Sequence, residues 1–287
     1  MDIRAIVIGS GFGGAIAALR LGQAGIDTWV LERGRRWDID DPTTNSTFAT
    51  FRHLDERAEW LNDTEVSKTP AYEGTPIEKY AGVLEVIEHG EYKFLVGSGV
   101  GGGSHAYGGI LIEPPRELWD RVFPDITYDE MEQIYFPRVH EVIGSSPIPD
   151  DILESEYYLG LRTLVDQARK AGFADCDSTS NGMKDGMTPF MMGIDWDIVR
   201  EEIAQKKVAS TIAAEFWFGQ NSGAKQTLDQ NYLKQAEDTG AVEIKPQHWV
   251  KRVAALPEGG YQVFVDRIDD RGETLSQEIL TCEYLFM

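Results

Sequence analysis

The stretch Gly9-Ser10-Gly11-Phe12-Gly13-Gly14 decides the fold of this chain. It follows the apolar run Ile3 to Ile8, which is typical of a buried parallel strand, and it precedes a second apolar run that predicts a helix. In such a turn Gly9 permits a sharp change of direction, Gly11 lets backbone approach a pyrophosphate, and Gly14 allows close packing of helix on strand. The helix N-terminus offers free N–H groups to phosphates. The pattern predicts a dinucleotide-binding strand–turn–helix.

Glu32 strengthens this prediction, because it closes the next apolar segment, Trp29 to Leu31. A carboxylate at that strand end accepts hydrogen bonds from ribose hydroxyls and repels a 2′-phosphate, so FAD or NAD is favoured over NADP. The Arg33-Gly34 that follows favours FAD, since Glu-x-Gly at this place is common in flavoproteins.

A second glycine cluster runs from Gly97 to Gly109. So many glycines are destabilising unless backbone must lie beside a ligand or adopt positive φ. A flexible linker is the alternative, but Val100 and the apolar segment Ile110 to Ile112 argue against it. The cluster is therefore predicted to line a ligand.

Composition narrows the function classes. The chain has 287 residues, 42% hydrophobic and 26% charged, which is ordinary for a globular protein with a sizeable core. Its net charge of −21 argues against nucleic acid or an anionic membrane as partner. The two cysteines, Cys176 and Cys282, are far apart and fit no metal or disulfide framework, and no apolar run is long enough for a transmembrane segment. A cytoplasmic protein, or an exported one whose signal has been removed, is expected.

With both glycine motifs in place, the chain resembles the cholesterol oxidase branch of the glucose–methanol–choline (GMC) oxidoreductases, which are FAD enzymes. The resemblance rests on these motifs: Ile8 to Gly14, Leu31 to Gly34, Leu54 to Arg57 with Trp60, Tyr80 to Leu84, Gly99 to Ser104, Tyr135 to Arg138, and Thr227 to Leu233. It implies an α/β fold, with a doubly wound, Rossmann-type FAD-binding core and an inserted α+β substrate-binding region.

The resemblance also implies the cofactor-binding residues: Gly9, Gly11, Phe12, Gly13, Gly14, Glu32, Gly103, Ser104, Tyr107, Gly108, Ile110 and Val250. The first five form the turn at the pyrophosphate, Glu32 receives the ribose, the segment from Gly103 to Ile110 runs beside the flavin ring, and Val250 meets the adenine. Tyr107 departs from the family's steroid enzymes, which have Asn there. His105 lies one residue before the position at which some members tether FAD covalently, so a covalent link is not favoured.

The implied reaction is oxidation of a steroid-like or other apolar secondary alcohol, with hydride passing to flavin N5 and electrons then to O2 or another acceptor. The family's catalytic His and Asn would lie beyond Met287, so no catalytic residue is assigned. The apolar end of the chain, Tyr284 to Met287, predicts a truncation, and this 287-residue form is expected to be inactive.

The expected domains are residues 1–145, the first part of the FAD-binding domain with an entrance segment at 35–76, then the substrate-binding region 146–222, and the second part of the FAD-binding domain, 223–287. Two alternatives stay open: an inactive, truncated flavin-binding module, and an NAD-linked dehydrogenase that uses the first motif alone. The oligomeric state is left open by the sequence.

Overall fold

The computed structural model describes residues 3–62, 76–173 and 190–287. The strands are β1 Ile3–Ile8, β2 Thr28–Leu31, β3 Leu84–His89, β4 Tyr92–Gly97, β5 Ile110–Leu111, β6 Met191–Met192, β7 Val242–Lys245, β8 His248–Ala255, β9 Tyr261–Ile268 and β10 Thr274–Phe286. The α-helices are α1 Phe12–Gln23, α2 Arg116–Val122, α3 Tyr128–Glu130, α4 Phe136–Ile143, α5 Asp150–Leu153, α6 Leu159–Lys170, α7 Trp196–Ile203 and α8 Tyr232–Asp238. Short 3₁₀ turns occupy Gly102–His105 and Glu156–Tyr158.

A six-stranded sheet with the order β7-β2-β1-β10-β9-β8 forms the centre of the fold. The first four strands in that order are parallel neighbours, whereas β10, β9 and β8 form an antiparallel meander. The long strand β10 joins the two parts, because Cys282 pairs both with Ile3 of β1 and with Tyr261 of β9. The predicted α/β class with a parallel nucleotide-binding core is confirmed.

Alternation along β1 assigns its residues to two cores. Val7 points to one face, where it packs with Leu19 of α1 and Leu233 of α8. Ile6 points to the other face, where it packs with Val263 of β9. Burial of each such aliphatic side chain stabilises the fold by roughly 1.5–3 kcal/mol, so β1 is held from both sides and the turn that follows it has a fixed position.

The helical run from residue 128 to residue 143 is irregular next to Pro137. A π-helical turn, Met131–Tyr135, leads into α4, which has Pro137 in its first turn. Proline lacks the N–H for an intrahelical bond, and a wider turn accommodates that loss without ending the helix. None of the helices in the described ranges is both long and apolar enough to cross a membrane.

Candidate nucleotide site

A cleft of about 390 Å³ lies where the two glycine motifs meet above the carboxyl ends of β1 and β2. Five of the predicted cofactor-binding residues line it: Gly9, Gly11, Glu32, Gly103 and Val250. These residues are spread over most of the chain, and the sheet brings them together because the carboxyl ends of parallel strands meet at one edge.

The turn after β1 requires glycine at specific positions. Gly9 has φ 85°, a conformation that glycine adopts without strain. A Cβ on Gly14 would lie 1.9 Å from the carbonyl oxygen of Gly9, so any side chain there would push α1 away from β1. A Cβ on Gly102 would lie 2.8 Å from Gly11 Cα, so the backbones of the two motifs are in direct contact.

The N-terminus of α1 faces this turn and is free to receive an anion. Gly11 is the N-cap, no side chain caps the helix, and its first turn carries no acidic residue. The helix has 12 residues, so its end carries a substantial partial positive charge. Phe12, the first helical residue, is 42% exposed, and Gly13 has open space where a Cβ would be. This end of the cleft fits a pyrophosphate.

Glu32 is buried and held by three hydrogen-bond donors. Its Oε2 accepts from the backbone N–H of Ser10 at 3.0 Å and from Ser10 Oγ at 2.6 Å, and its Oε1 accepts from the N–H of Gly34 at 2.9 Å. These bonds fix the orientation of the carboxylate at the end of β2, which is where a ribose acceptor is predicted.

Ser10 is a site residue that the sequence prediction missed. It is fully buried, its Oγ accepts from the N–H of Gly101 at 3.1 Å, and the same atom lies 3.2 Å from the carbonyl oxygen of Gly99. Ser10 therefore links the first motif, Glu32 and the second glycine cluster. Its position between two glycines is the only sequence signal, and that signal does not separate it from an ordinary turn serine.

The wall near Val250 combines a cation with aromatic rings. The Arg33 guanidinium lies 4.2 Å from the centre of the Trp60 ring, which makes an edge contact with Trp249 at 5.0 Å. Arg33 also donates to Ser98 Oγ at 3.0 Å and is ion-paired with Glu85. Of these residues, Trp249 and Arg33 line the cleft, and the charge of Arg33 is offset by Glu85.

The second glycine cluster is divided between the cleft and the interior. Gly103 lines the cleft, whereas Ser104 is fully buried, donating to the carbonyl of Gly101 at 2.7 Å and accepting from the N–H of Leu228 at 3.0 Å. The Ser104 side chain therefore stabilises the loop rather than facing the cleft. His105 is 1% exposed, and its Nε2 donates to the carbonyl of Val100 at 2.7 Å.

Tyr107, Gly108 and Ile110 lie outside the cleft, along the continuation of the loop. The Tyr107 ring meets the Phe12 ring edge-on at 5.8 Å, and this contact connects the loop to the start of α1. Its hydroxyl donates to the carbonyl of Gln226 at 2.9 Å, and burial raises the pKa of Tyr107 to about 12. Gly108 and Ile110 are exposed.

Comparison with known proteins identifies relatives, although no family model matches the chain. A cholesterol oxidase of Acinetobacter baumannii is 26% identical over 263 residues, which cover 85% of this chain and 42% of that protein. A cholesterol oxidase of Mycobacterium tuberculosis is 25% identical over 277 residues, covering 91% of this chain and 42% of the relative. An uncharacterized GMC-type oxidoreductase of Mycobacterium tuberculosis is 54% identical over 37 residues, 13% of this chain and 6% of that protein. The chain thus spans less than half the length of the curated relatives it matches.

Solved structures show the same fold. Pyridoxine 4-oxidase from Mesorbium loti superposes with a TM-score of 0.59 at 15% identity, over 99% of this chain and 48% of that protein. A formate oxidase superposes with a TM-score of 0.55 at 14% identity, over 99% of this chain and 44% of that protein. These structures confirm the fold, and the cholesterol oxidase and GMC-type relatives confirm the resemblance predicted from the sequence.

Proposed function

We propose that this chain, which is similar to the cholesterol oxidase branch of the GMC oxidoreductases, binds FAD as part of an oxidoreductase. The observation that carries the proposal is the convergence of Gly9, Gly11, Glu32, Gly103 and Val250 on one cleft. A nucleotide turn alone would serve many cofactors, but the second glycine cluster in contact with the first favours a dinucleotide with a large flat ring.

In this proposal the free N–H groups at the start of α1 bind the pyrophosphate, and Glu32, oriented by Ser10, accepts from the ribose. The adenine lies toward Val250, and the flavin ring runs along the loop from Gly103 to Ile110. Bound FAD would supply the hydride acceptor. The protein residues bind and orient the cofactor and shape the surface on which an alcohol approaches.

The substrate that we propose is a steroid-like or other apolar secondary alcohol, with O2 or another acceptor taking the electrons. Support comes from the cholesterol oxidases among the relatives. Alcohol oxidation needs a base to take the hydroxyl proton. The histidine in the proposed flavin loop, His105, is buried and bonded to Val100, so we do not assign it as this base. In the absence of an assigned base we expect no steroid oxidation by these 287 residues alone.

The domain division is part of the same proposal. Residues 1–145 and 223–287 form the FAD-binding domain, and residues 146–222 form the substrate-binding region. The sheet supports this division, since its strands come from residues 3–31 and 242–286. Residues 63–75 of the predicted entrance segment lie outside the described residues.

The test is a visible absorption spectrum of the purified chain before and after addition of FAD, with gel filtration to remove free cofactor. We expect a two-band flavin spectrum that co-elutes with the protein, and no bleaching when a sterol is added under anaerobic conditions. NAD binding in place of FAD would favour the dehydrogenase alternative. Binding of neither nucleotide would contradict the proposal, and sterol-dependent bleaching would contradict the expected inactivity.

A further inference from the structure

Lys225 is a buried cation that belongs to no part of the proposed cofactor site. It is 1% exposed, and its Nζ donates to three backbone carbonyl oxygens: that of His105 at 2.5 Å, that of Phe216 at 2.6 Å and that of Tyr107 at 3.1 Å. An ammonium group has three protons, so all of them are used on backbone. Two of the three acceptors, in His105 and Tyr107, belong to the last part of the second glycine cluster.

Further hydrogen bonds join the residues beside Lys225 to the same loop. The Tyr107 hydroxyl donates to the carbonyl of Gln226, the residue next to Lys225, at 2.9 Å. The N–H of Gln226 donates to the carbonyl of Gly193 at 2.9 Å, and the N–H of Gly193 donates to the carbonyl of Gly109 at 2.7 Å. The loop is thus fastened at residues 105, 107 and 109 to two segments that are distant in sequence.

Close packing makes this arrangement specific. A Cβ on Gly193 would lie 2.7 Å from the Tyr107 hydroxyl oxygen, so glycine is needed where the tyrosine side chain passes. The Tyr107 ring also contacts the Phe12 ring at the start of α1. The position of the loop relative to the nucleotide turn therefore depends on Tyr107, which Lys225 holds by its backbone and Gln226 holds by its hydroxyl.

The Lys225 ammonium group is held by these three bonds and not by an ion pair with a described carboxylate. Burial lowers the pKa of Lys225 to about 7, and no described carboxylate acts against that shift. Burying an ammonium group without a counter-ion is costly, and three carbonyl acceptors offset part of that cost. A methionine of similar length would avoid the cost but would leave three backbone carbonyls, one buried and two part-buried, without this donor.

We propose that Lys225 is a positioning residue for the loop from His105 to Gly109, and that it sets the place of the flavin ring without touching it. The second half of this inference rests on the proposed function, whereas the first half concerns the loop itself. The two halves are tested by different measurements.

The effect of Lys225 on the loop is tested without cofactor, by comparing amide hydrogen exchange in the wild type and in Lys225→Met below pH 7. We expect exchange in the segment 105–109 to become at least tenfold faster in the variant, with exchange in α1 unchanged. Lys225→Ala should behave similarly, and propylammonium, which replaces the missing side-chain atoms, should restore protection while propanol should not. Unchanged exchange in Lys225→Met would overturn the inference, as would equal acceleration throughout the chain.

The flavin half is tested by comparing ADP with FAD, since ADP occupies only the nucleotide end. We expect Lys225→Met to lose at least tenfold in FAD affinity, to keep its ADP affinity within twofold, and to change the band shape of bound flavin. Equal loss for both ligands, or loss for neither, would overturn the positioning role. A wild-type chain that binds neither ligand would overturn the proposed function and this role with it, while the exchange experiment still decides whether Lys225 fixes the loop.

Discussion

Ser10 and Glu32, 22 positions apart in the chain, are joined by a 2.6 Å hydrogen bond from the serine hydroxyl to the carboxylate. The same hydroxyl accepts from the N–H of Gly101, so one small side chain connects three segments of the cleft. The carboxylate that is proposed to receive ribose is therefore oriented by a residue of the pyrophosphate turn.

Replacement of Ser10 by alanine should lower both the affinity of the cleft for a nucleotide and the stability of the fold. Loss of the hydroxyl leaves a buried carboxylate oxygen and the N–H of Gly101 without this partner, which costs about 1–3 kcal/mol. We expect the free energy of unfolding, measured with urea, to fall by that amount and ADP affinity to fall about tenfold. Ser46→Ala, at an exposed serine, is the control and should change stability by less than about 0.5 kcal/mol. Equal results for the two variants would contradict the assigned role of Ser10.

Adjacent glycines of the first motif should respond in opposite ways to alanine. In Gly14→Ala the new Cβ meets the carbonyl oxygen of Gly9 at 1.9 Å, and we expect a loss of about 3 kcal/mol or more in unfolding free energy. In Gly13→Ala the Cβ enters open space inside α1, and the lower backbone entropy of the unfolded chain should stabilise the protein by up to about 1 kcal/mol. Urea midpoints measure both. A Gly14→Ala protein as stable as Gly13→Ala would show that α1 does not pack on β1 as described.

Lys225 should give the protein a component of stability that rises with pH. The pKa is about 7 in the folded chain and about 10.4 when unfolded. Below pH 7 the Lys225 amine is protonated in both the folded and the unfolded chain, so the folded state bears the full cost of burying the charge. Between the two values the unfolded state binds more protons, so the unfolding free energy increases with pH, by an amount on the order of a few kcal/mol in total.

The comparison with Lys225→Met isolates this component. We expect the difference in unfolding free energy, wild type minus variant, to increase from pH 6.5 to pH 9.5. Other titrating groups act in both proteins and largely cancel. A difference that is flat or that decreases over this range would mean that the folded pKa is not lowered.

Tyr107 and Gly193 should be energetically coupled. Gly193→Ala places a Cβ 2.7 Å from the Tyr107 hydroxyl oxygen and should be destabilising by about 1–3 kcal/mol. Removal of that oxygen in Tyr107→Phe costs about 1 kcal/mol for the lost bond to Gln226. It also removes the shorter of two close contacts of the new Cβ, while the contact with Ile143 Cγ2 at 2.9 Å remains. We expect Gly193→Ala to cost less in the Tyr107→Phe background, by at least about 0.5 kcal/mol in a double-mutant cycle.

Gly160→Ala serves as the control for that cycle. Gly160 lies in α6, and a Cβ there meets nothing within 4 Å. Gly160→Ala should change the free energy of unfolding by the same amount in the wild-type and the Tyr107→Phe backgrounds. Additive costs for Gly193→Ala and Tyr107→Phe would show that the tyrosine hydroxyl does not occupy the space beside Gly193.

The sequence was sufficient for features that depend on neighbours in the chain. The glycines between β1 and α1, the acidic residue at the end of β2 and the second glycine cluster are local signals, because turn geometry and strand period are set within a few residues. They predicted the α/β class, whereas the expectation that a residue as distant as Val250 serves the same cofactor as Gly9 came from the family resemblance. The structure places both at one cleft.

The tertiary structure decided which side chains hold that cleft in shape. No local signal distinguishes Ser10 or Lys225 from ordinary residues of their type, since their partners lie up to 91 and 120 positions away and become neighbours only when the sheet and loops pack. Tertiary packing also orients the side chain of Ser104 into the protein interior and the hydroxyl of Tyr107 toward the carbonyl of Gln226. Both residues belong to the glycine cluster that the sequence predicts to line a ligand. The sequence by itself determined the backbone turns and strands of the nucleotide fold, because they are short-range. The positioning bonds were decided by long-range packing, where each buried polar atom must find a partner.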